Sequence, residues 1–145
     1  MQALRAGCEI LVYMQDSIFT KIIKGEIPCH RVYEDAKVIA FLDIHPQVPG
    51  HTLVVPKKQV DHVYDLDDET YGYLWNIVKK IAPKLKKVTA SQRVGIAVEG
   101  FGVPHVHVHL IPLHEVNDFK KPQDLSAEPD HAALAEMARK LYMEG

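Results

Sequence analysis

The stretch Val103-Pro104-His105-Val106-His107-Val108-His109-Leu110-Ile111-Pro112 alternates imidazole with aliphatic side chains from His105 to His109. In an extended chain successive side chains point to opposite faces. His105, His107 and His109 therefore share one face, about 7 Å apart per pair, while Val106, Val108 and Leu110 share the other. The spacing predicts a strand over Val106–Ile111 with one face in the core and one carrying chemistry. A polar, solvent-facing alternation accounts readily for one histidine but poorly for three in register, because imidazole titrates near neutral pH and is costly to cluster unless that titration is used. Two chemistries suit the array. Three neutral imidazoles with a water make a catalytic zinc site; alternatively one imidazole is a nucleophile and its neighbours donate hydrogen bonds to an anionic substrate. Spacing alone does not choose between them.

Working outward, Arg93–Val98 reads as a preceding strand joined to the histidine strand by the tight Gly100-Phe101-Gly102 turn. Before it, Leu74, Ile77, Val78, Ile81, Leu85 and Val88 recur at three- and four-residue intervals, which predicts the main helix from Asp67 to about Lys87. Asp67 or Asp68 can cap it. Pro83 lies inside the pattern, where a missing donor and a ring clash predict a kink or an early end. Further upstream lie a β-branched run, Thr52–Val55, terminated by Pro56, and a loop punctuated by Pro46, Pro49 and Gly50. Arg31–Tyr33 and Val38–Leu42 form a hairpin about Glu34-Asp35, and Ser17–Ile23 forms a short helix stopped by Gly25 and Pro28. Beyond the histidines, Leu113–Pro129 reads as a polar loop, and Asp130 caps a last helix with the stripe Leu134, Met137, Ala138 and Leu141. Strands outnumber helices and the early connections are too short for parallel crossovers. The expected fold is α+β: an antiparallel sheet of about five strands packed with one main helix, a short N-terminal helix and a C-terminal helix.

The 145 residues suffice for one domain, and 47% hydrophobic with 25% charged residues excludes disordered and fibrous classes. Residues 1–13 precede a second methionine, Met14, and are expected to be a poorly ordered extension of a single domain over 14–145. Lys and Arg total 17 against 19 Asp and Glu, with paired lysines scattered along the chain, so no basic footprint for nucleic acid is present. Cys8 and Cys29 have no metal-binding spacing and are expected as reduced thiols. No apolar run approaches the roughly 20 residues that span a bilayer, and no membrane association is expected. A cytoplasmic location is the default.

The histidine segment resembles the HxHxHxx signature of the histidine triad (HIT) superfamily. The resemblance extends to Ser17-Ile-Phe-Thr-Lys-Ile-Ile-Lys-Gly-Glu-Ile-Pro28, similar to the family's opening helix, and to Phe41-Leu-Asp-Ile-His-Pro-Gln-Val-Pro-Gly-His-Thr-Leu-Val-Val-Pro-Lys57, similar to its central hairpin. It implies a HIT-like fold and a nucleotidyl hydrolase or transferase acting on nucleoside-phosphate-X substrates, such as phosphoramidates or dinucleoside polyphosphates, without metal or other cofactor. By the same resemblance His107 is the nucleophile that forms a nucleotidyl-histidine. His109 and His51 contact phosphate oxygens, and His105 orients its neighbours. Ile18, Phe19, Ile22, Phe41, Ile44 and Leu53 match base-binding positions, and Asp43 matches the carboxylate that accepts the ribose hydroxyls. A small-molecule nucleotide and a second copy of the chain, in a homodimer built on the main helix and a paired strand, are the implied partners.

The chain also departs from the family pattern. Many relatives hold a structural zinc on a CxxC, a histidine and the first triad histidine; here the matching positions are Ser17, Thr20, Gln59 and His105, so no zinc is expected there. The loop before the triad, Val98-Glu-Gly-Phe-Gly-Val-Pro104, is short and lacks the family's Asn, Gln and Ser side chains. Backbone N–H groups at Gly100 and Gly102 can form an anion nest in their place. That loss motivates an alternative, a nucleotide-binding regulatory or scaffold protein with weak turnover; a metallohydrolase with a three-histidine site is the third reading. His30, His45, His62, His114 and His131 are read as surface residues and Trp75 as packing.

Overall fold

The computed structural model describes residues 15–145, so the expected extension over 1–13 lies outside the described residues. Helix α1 (Ile18–Ile23) starts where the Ser17 hydroxyl accepts the Thr20 N–H at 3.0 Å and stops before Gly25, whose φ of +80° reverses the chain. Strands β1 (Arg31–Glu34) and β2 (Val38–Leu42) form the expected hairpin. Asp35 closes its turn by accepting the Lys37 and Val38 N–H groups, each at 2.8 Å. Strand β3 (Thr52–Pro56) runs one residue further than expected, because Pro56 still sits opposite Val38 at the strand's end.

Helix α2 (Asp68–Thr89) is capped by Asp67 and passes through Pro83 without ending there, so of the expected kink or early end the early end does not occur. The reason is local. Pro83 and Lys79, the residue whose carbonyl loses its donor, are both exposed, so water can take the missing bond while buried Ile81 and Leu85 hold the helix on either side. Strands β4 (Arg93–Ala97) and β5 (Val108–Leu113) are antiparallel. The histidine strand therefore begins two residues later than expected. The Val106 N–H is taken by the Val60 carbonyl at 2.8 Å, so the sheet ladder starts only at Val108. Helix α3 (His131–Leu141) is capped by Asp130 at 3.1 Å from the Ala133 N–H. The expected polar loop before it contains a 3₁₀ turn, Val116–Lys120, organised by buried Asp118, which accepts the His114 and Glu115 N–H groups at 2.8 and 3.1 Å.

The sheet order is β1-β2-β3-β5-β4, all neighbours antiparallel. Strands β2 and β3 are buried on both faces. On one face Ala40, Leu42, Val54, Val108 and Leu110 pack under α2 and α3. On the other, Ile39, Phe41, Leu53 and Val55 pack with Phe19 of α1. Each fully buried aliphatic side chain contributes roughly 1.5–3 kcal/mol relative to exposure. The second face, which Leu53 shares with its register partner His109, carries the site.

Candidate active site

The backbone fixes the proton on each histidine. His107 Nδ1 lies 2.7 Å from the His105 carbonyl, which can only accept, so Nδ1 carries a hydrogen and, in the neutral ring, Nε2 presents the lone pair. His105 is buried and fully engaged: Nε2 donates to the Pro56 carbonyl at 2.8 Å, and Nδ1 accepts from the Ser17 hydroxyl at 2.6 Å. The ring of Phe19 stands edge-on to His107 at 4.9 Å between centroids and to His105 at 5.8 Å, holding both rings in place. The alternation survives although His105 and His107 precede the regular strand, for Val106 and Val108 lie in the opposite, α2-side core.

A second chain of imidazoles runs beside the first. The Gln47 N–H donates to His51 Nδ1 at 3.2 Å, so the hydrogen of neutral His51 sits on Nε2 and is donated to His109 Nδ1 at 2.9 Å. The hydrogen of His109 is thereby placed on Nε2. That atom is buried and has no partner among the described residues. Burial holds His51, His105 and His109 below the ordinary imidazole value of 6.5; the Asp43 carboxylate, 3.8 Å from His51 Nε2, opposes this only in part for His51. The rings are neutral at pH 7, as the donor sequence requires. His107 and His109 stand 4.9 Å apart between centroids.

His107 and His109 open onto a cavity of about 390 Å³ whose apolar wall includes Ile18, Phe19, Ile22, Phe41, Ile44 and Leu53. Asp43 and Gly102 also line it. His105 and His51 do not; they stand behind His107 and His109 respectively, and both ring nitrogens of each are already bonded. Direct contact between His51 and a phosphate, expected from the sequence, is thus not what the geometry offers. The lining residues that sequence reasoning did not assign to the site include Cys29, His45, Glu99, Gln123 and Leu125. Gln123 Nε2 donates to Asp43 Oδ2, and no local pattern signals a contact between residues 80 positions apart. His45, read as a surface residue, gives its N–H to Asp43 Oδ1 at 2.9 Å. His30 and His131, also read separately, meet at 2.9 Å between β1 and α3.

Ser17, Thr20, Gln59 and His105 do converge, but as a hydrogen-bonded group. Thr20 Oγ1 donates to Gln59 Oε1 at 2.6 Å, which also accepts the Ser17 N–H at 2.9 Å, while Ser17 serves His105. Two hydroxyls, an amide and an imidazole whose nitrogens are both in use do not make a zinc ligand set. The three triad histidines do not point at one centre either, since of their ring nitrogens only His107 Nε2 and His109 Nε2 lack a partner among the described residues. Among the described residues, Asp43, His51 and His109 bring ligand atoms within 4.8 Å of one another, and two of these are already joined by a hydrogen bond.

A family model, the HIT domain, matches residues 24–116. The chain belongs to the HIT family. A HIT-like protein from Bartonella henselae, described as involved in cell-cycle regulation and solved with an unknown ligand, is 39% identical with a TM-score of 0.75, covering 89% of this chain and 96% of its own. A hypothetical histidine triad nucleotide-binding protein from Sulfolobus tokodaii is 29% identical with a TM-score of 0.74, covering 85% and 87%. Among curated relatives, the adenosine 5′-monophosphoramidase hnt1 of Schizosaccharomyces pombe is 40% identical over 97 residues, 66% of this chain and 72% of that protein. The α+β architecture expected from the sequence is that of the HIT neighbours. The HIT match ends at residue 116, so Gln123 and Leu125 reach the cavity from beyond it.

Proposed function

We propose that this HIT protein is a nucleotidyl hydrolase or transferase for nucleoside-phosphate-X substrates, with His107 Nε2 as nucleophile. The observation that carries the reading is the 2.7 Å bond from His107 Nδ1 to the His105 carbonyl, which puts the hydrogen of the neutral ring on Nδ1 and leaves Nε2 of this cavity-lining side chain as the lone-pair nitrogen, with no separate base needed. In the first step Nε2 attacks the α-phosphorus, the P–N bond forms, the P–X bond breaks and X leaves with a proton taken from solvent water. Water then attacks phosphorus, the P–N bond breaks and the nucleoside monophosphate departs. His109, its Nε2–H unpaired among the described residues, donates to a phosphate oxygen as charge builds there; His51 acts through His109 by fixing its tautomer. Ile18, Phe19, Ile22, Phe41, Ile44 and Leu53 hold the base, Asp43 the ribose, and Gly102 the phosphate side of the cavity. The chemistry needs no cofactor.

Strand β4 is a sheet edge, and Ile96 within it and Val98 just after it are 44% and 37% exposed, a surface suited to pairing with a second copy. No described helix is long and apolar enough to cross a membrane, and the proposal places the protein in the cytoplasm.

The deciding experiment measures AMP release from adenosine 5′-phosphoramidate by chelator-treated protein, wild type beside His107→Ala. Turnover in the wild type alone, with AMP affinity nearly unchanged in the variant, is the expected result. AMP binding without turnover in either would favour the regulatory or scaffold reading, which the short loop Val98–Pro104 motivates. Turnover abolished by the chelator and restored by a divalent ion would favour the metallohydrolase.

A further inference from the structure

Beyond the family match the chain returns to the nucleoside cavity as a strap, Lys121-Pro122-Gln123-Asp124-Leu125, of which Gln123 and Leu125 line the wall. Its start is pinned: the Gln47 side-chain amide donates to the Lys121 carbonyl, and Lys121 Nζ pairs with buried Asp118 at 2.8 Å. Gln123 Nε2 then makes two bonds of 2.8 Å, to Asp43 Oδ2 and to the His45 carbonyl. Both partners can only accept, so both amide hydrogens are spent and the orientation of the amide is forced. From the other side the His45 N–H occupies Asp43 Oδ1 at 2.9 Å. The terminal torsion of an aspartate is otherwise soft. One donor on each oxygen fixes the carboxylate plane and leaves acceptor capacity on both oxygens, the arrangement a vicinal diol requires.

We propose that Gln123 is a positioning residue for ribose recognition, holding the Asp43 carboxylate in the plane that accepts two hydroxyls, so that the strap makes this chain selective for ribonucleotides over 2′-deoxyribonucleotides. The inference rests on the nucleotide reading above. Gln47 ties it to the catalytic histidines, because the residue that anchors the strap through its side chain also sets the His51 tautomer through its N–H.

The test is calorimetric titration of the full chain with AMP and with 2′-deoxy-AMP, for wild type, Gln123→Ala and Gln123→Glu. The wild type is expected to prefer AMP by about tenfold, the value of one good hydrogen bond. Both variants should lose about tenfold in AMP affinity while 2′-deoxy-AMP binding moves by less than about threefold, so that selectivity collapses. In phosphoramidate turnover KM rises and kcat stays within about twofold. Gln123→Glu is nearly isosteric; a residue that merely walls the cavity would leave it like wild type. Unchanged selectivity in both variants, or tighter AMP binding by Gln123→Ala, overturns the inference while leaving the nucleotide reading intact. A wild type that binds neither AMP nor 2′-deoxy-AMP overturns both.

Discussion

The His51 side chain has no exposed surface, yet it determines what the cavity meets at His109, because imidazole can pass tautomeric identity through a hydrogen bond. The same burial links the site to stability. His51, His105 and His109 take up protons less readily in the folded protein than at the ordinary value of 6.5. The unfolded chain therefore binds more protons just below that pH. The stability from keeping these rings neutral is fully present above about pH 6.5 and is lost as pH falls toward their folded values. Carboxylates act lower on the scale. Burial pushes Asp35 up, but hydrogen bonds from the Tyr33 and Tyr73 hydroxyls and two backbone N–H groups outweigh it and bring it to about 2. Its contribution disappears only below about pH 4. Urea midpoints are thus expected to fall already between about pH 6.5 and 5; a flat midpoint across that interval would contradict the buried neutral assignment.

Two positive-φ positions bracket the main helix and its approach to the site, and they predict substitutions of opposite sign. Gly50, immediately before His51, has φ of +97°, and a Cβ there would stand 2.9 Å from Thr89 Cγ2 and 3.1 Å from Pro112 Cγ. Gly50→Ala is expected to cost about 1–3 kcal/mol from backbone strain and overpacking, read as a lower urea midpoint at unchanged slope. It should also lower phosphoramidate turnover by shifting His51. Ala90 ends α2 in the left-handed region at φ 53°. Ala90→Gly removes that strain and should raise stability by about 0.5–1 kcal/mol without touching activity. Pro83 shows why sequence rules for one element are conditional. The rule that proline breaks a helix prices an unpaired carbonyl, and an exposed carbonyl can find water.

Among the described residues, one face of the central strands is closed by α2 and α3 and the other by α1 and the strap, while the β4 edge stays open. An open edge carrying exposed Ile96 is a liability for a single copy. Light scattering at tens of micromolar is expected to give twice the 16.4 kDa chain mass, and Ile96→Lys to give the single mass. A wild type of single mass would remove the homodimer from the reading.

Periodicity by itself determined the α+β class, the hairpin, the three helices and the shared face of His105, His107 and His109, because side-chain direction in a strand or helix follows from local geometry. The motifs likewise brought Phe41, Asp43 and His51 to one region. The tertiary structure alone decided the ladder's start at Val108, the place of His51 behind His109 and the bond from Gln123 to Asp43. Each depends on a partner far along the chain: Val60 for Val106, His109 for His51 across 58 positions, Asp43 for Gln123 across 80. A hydrogen bond is settled by which donor and acceptor the packed fold brings within about 3 Å, and local spacing carries no record of that distance.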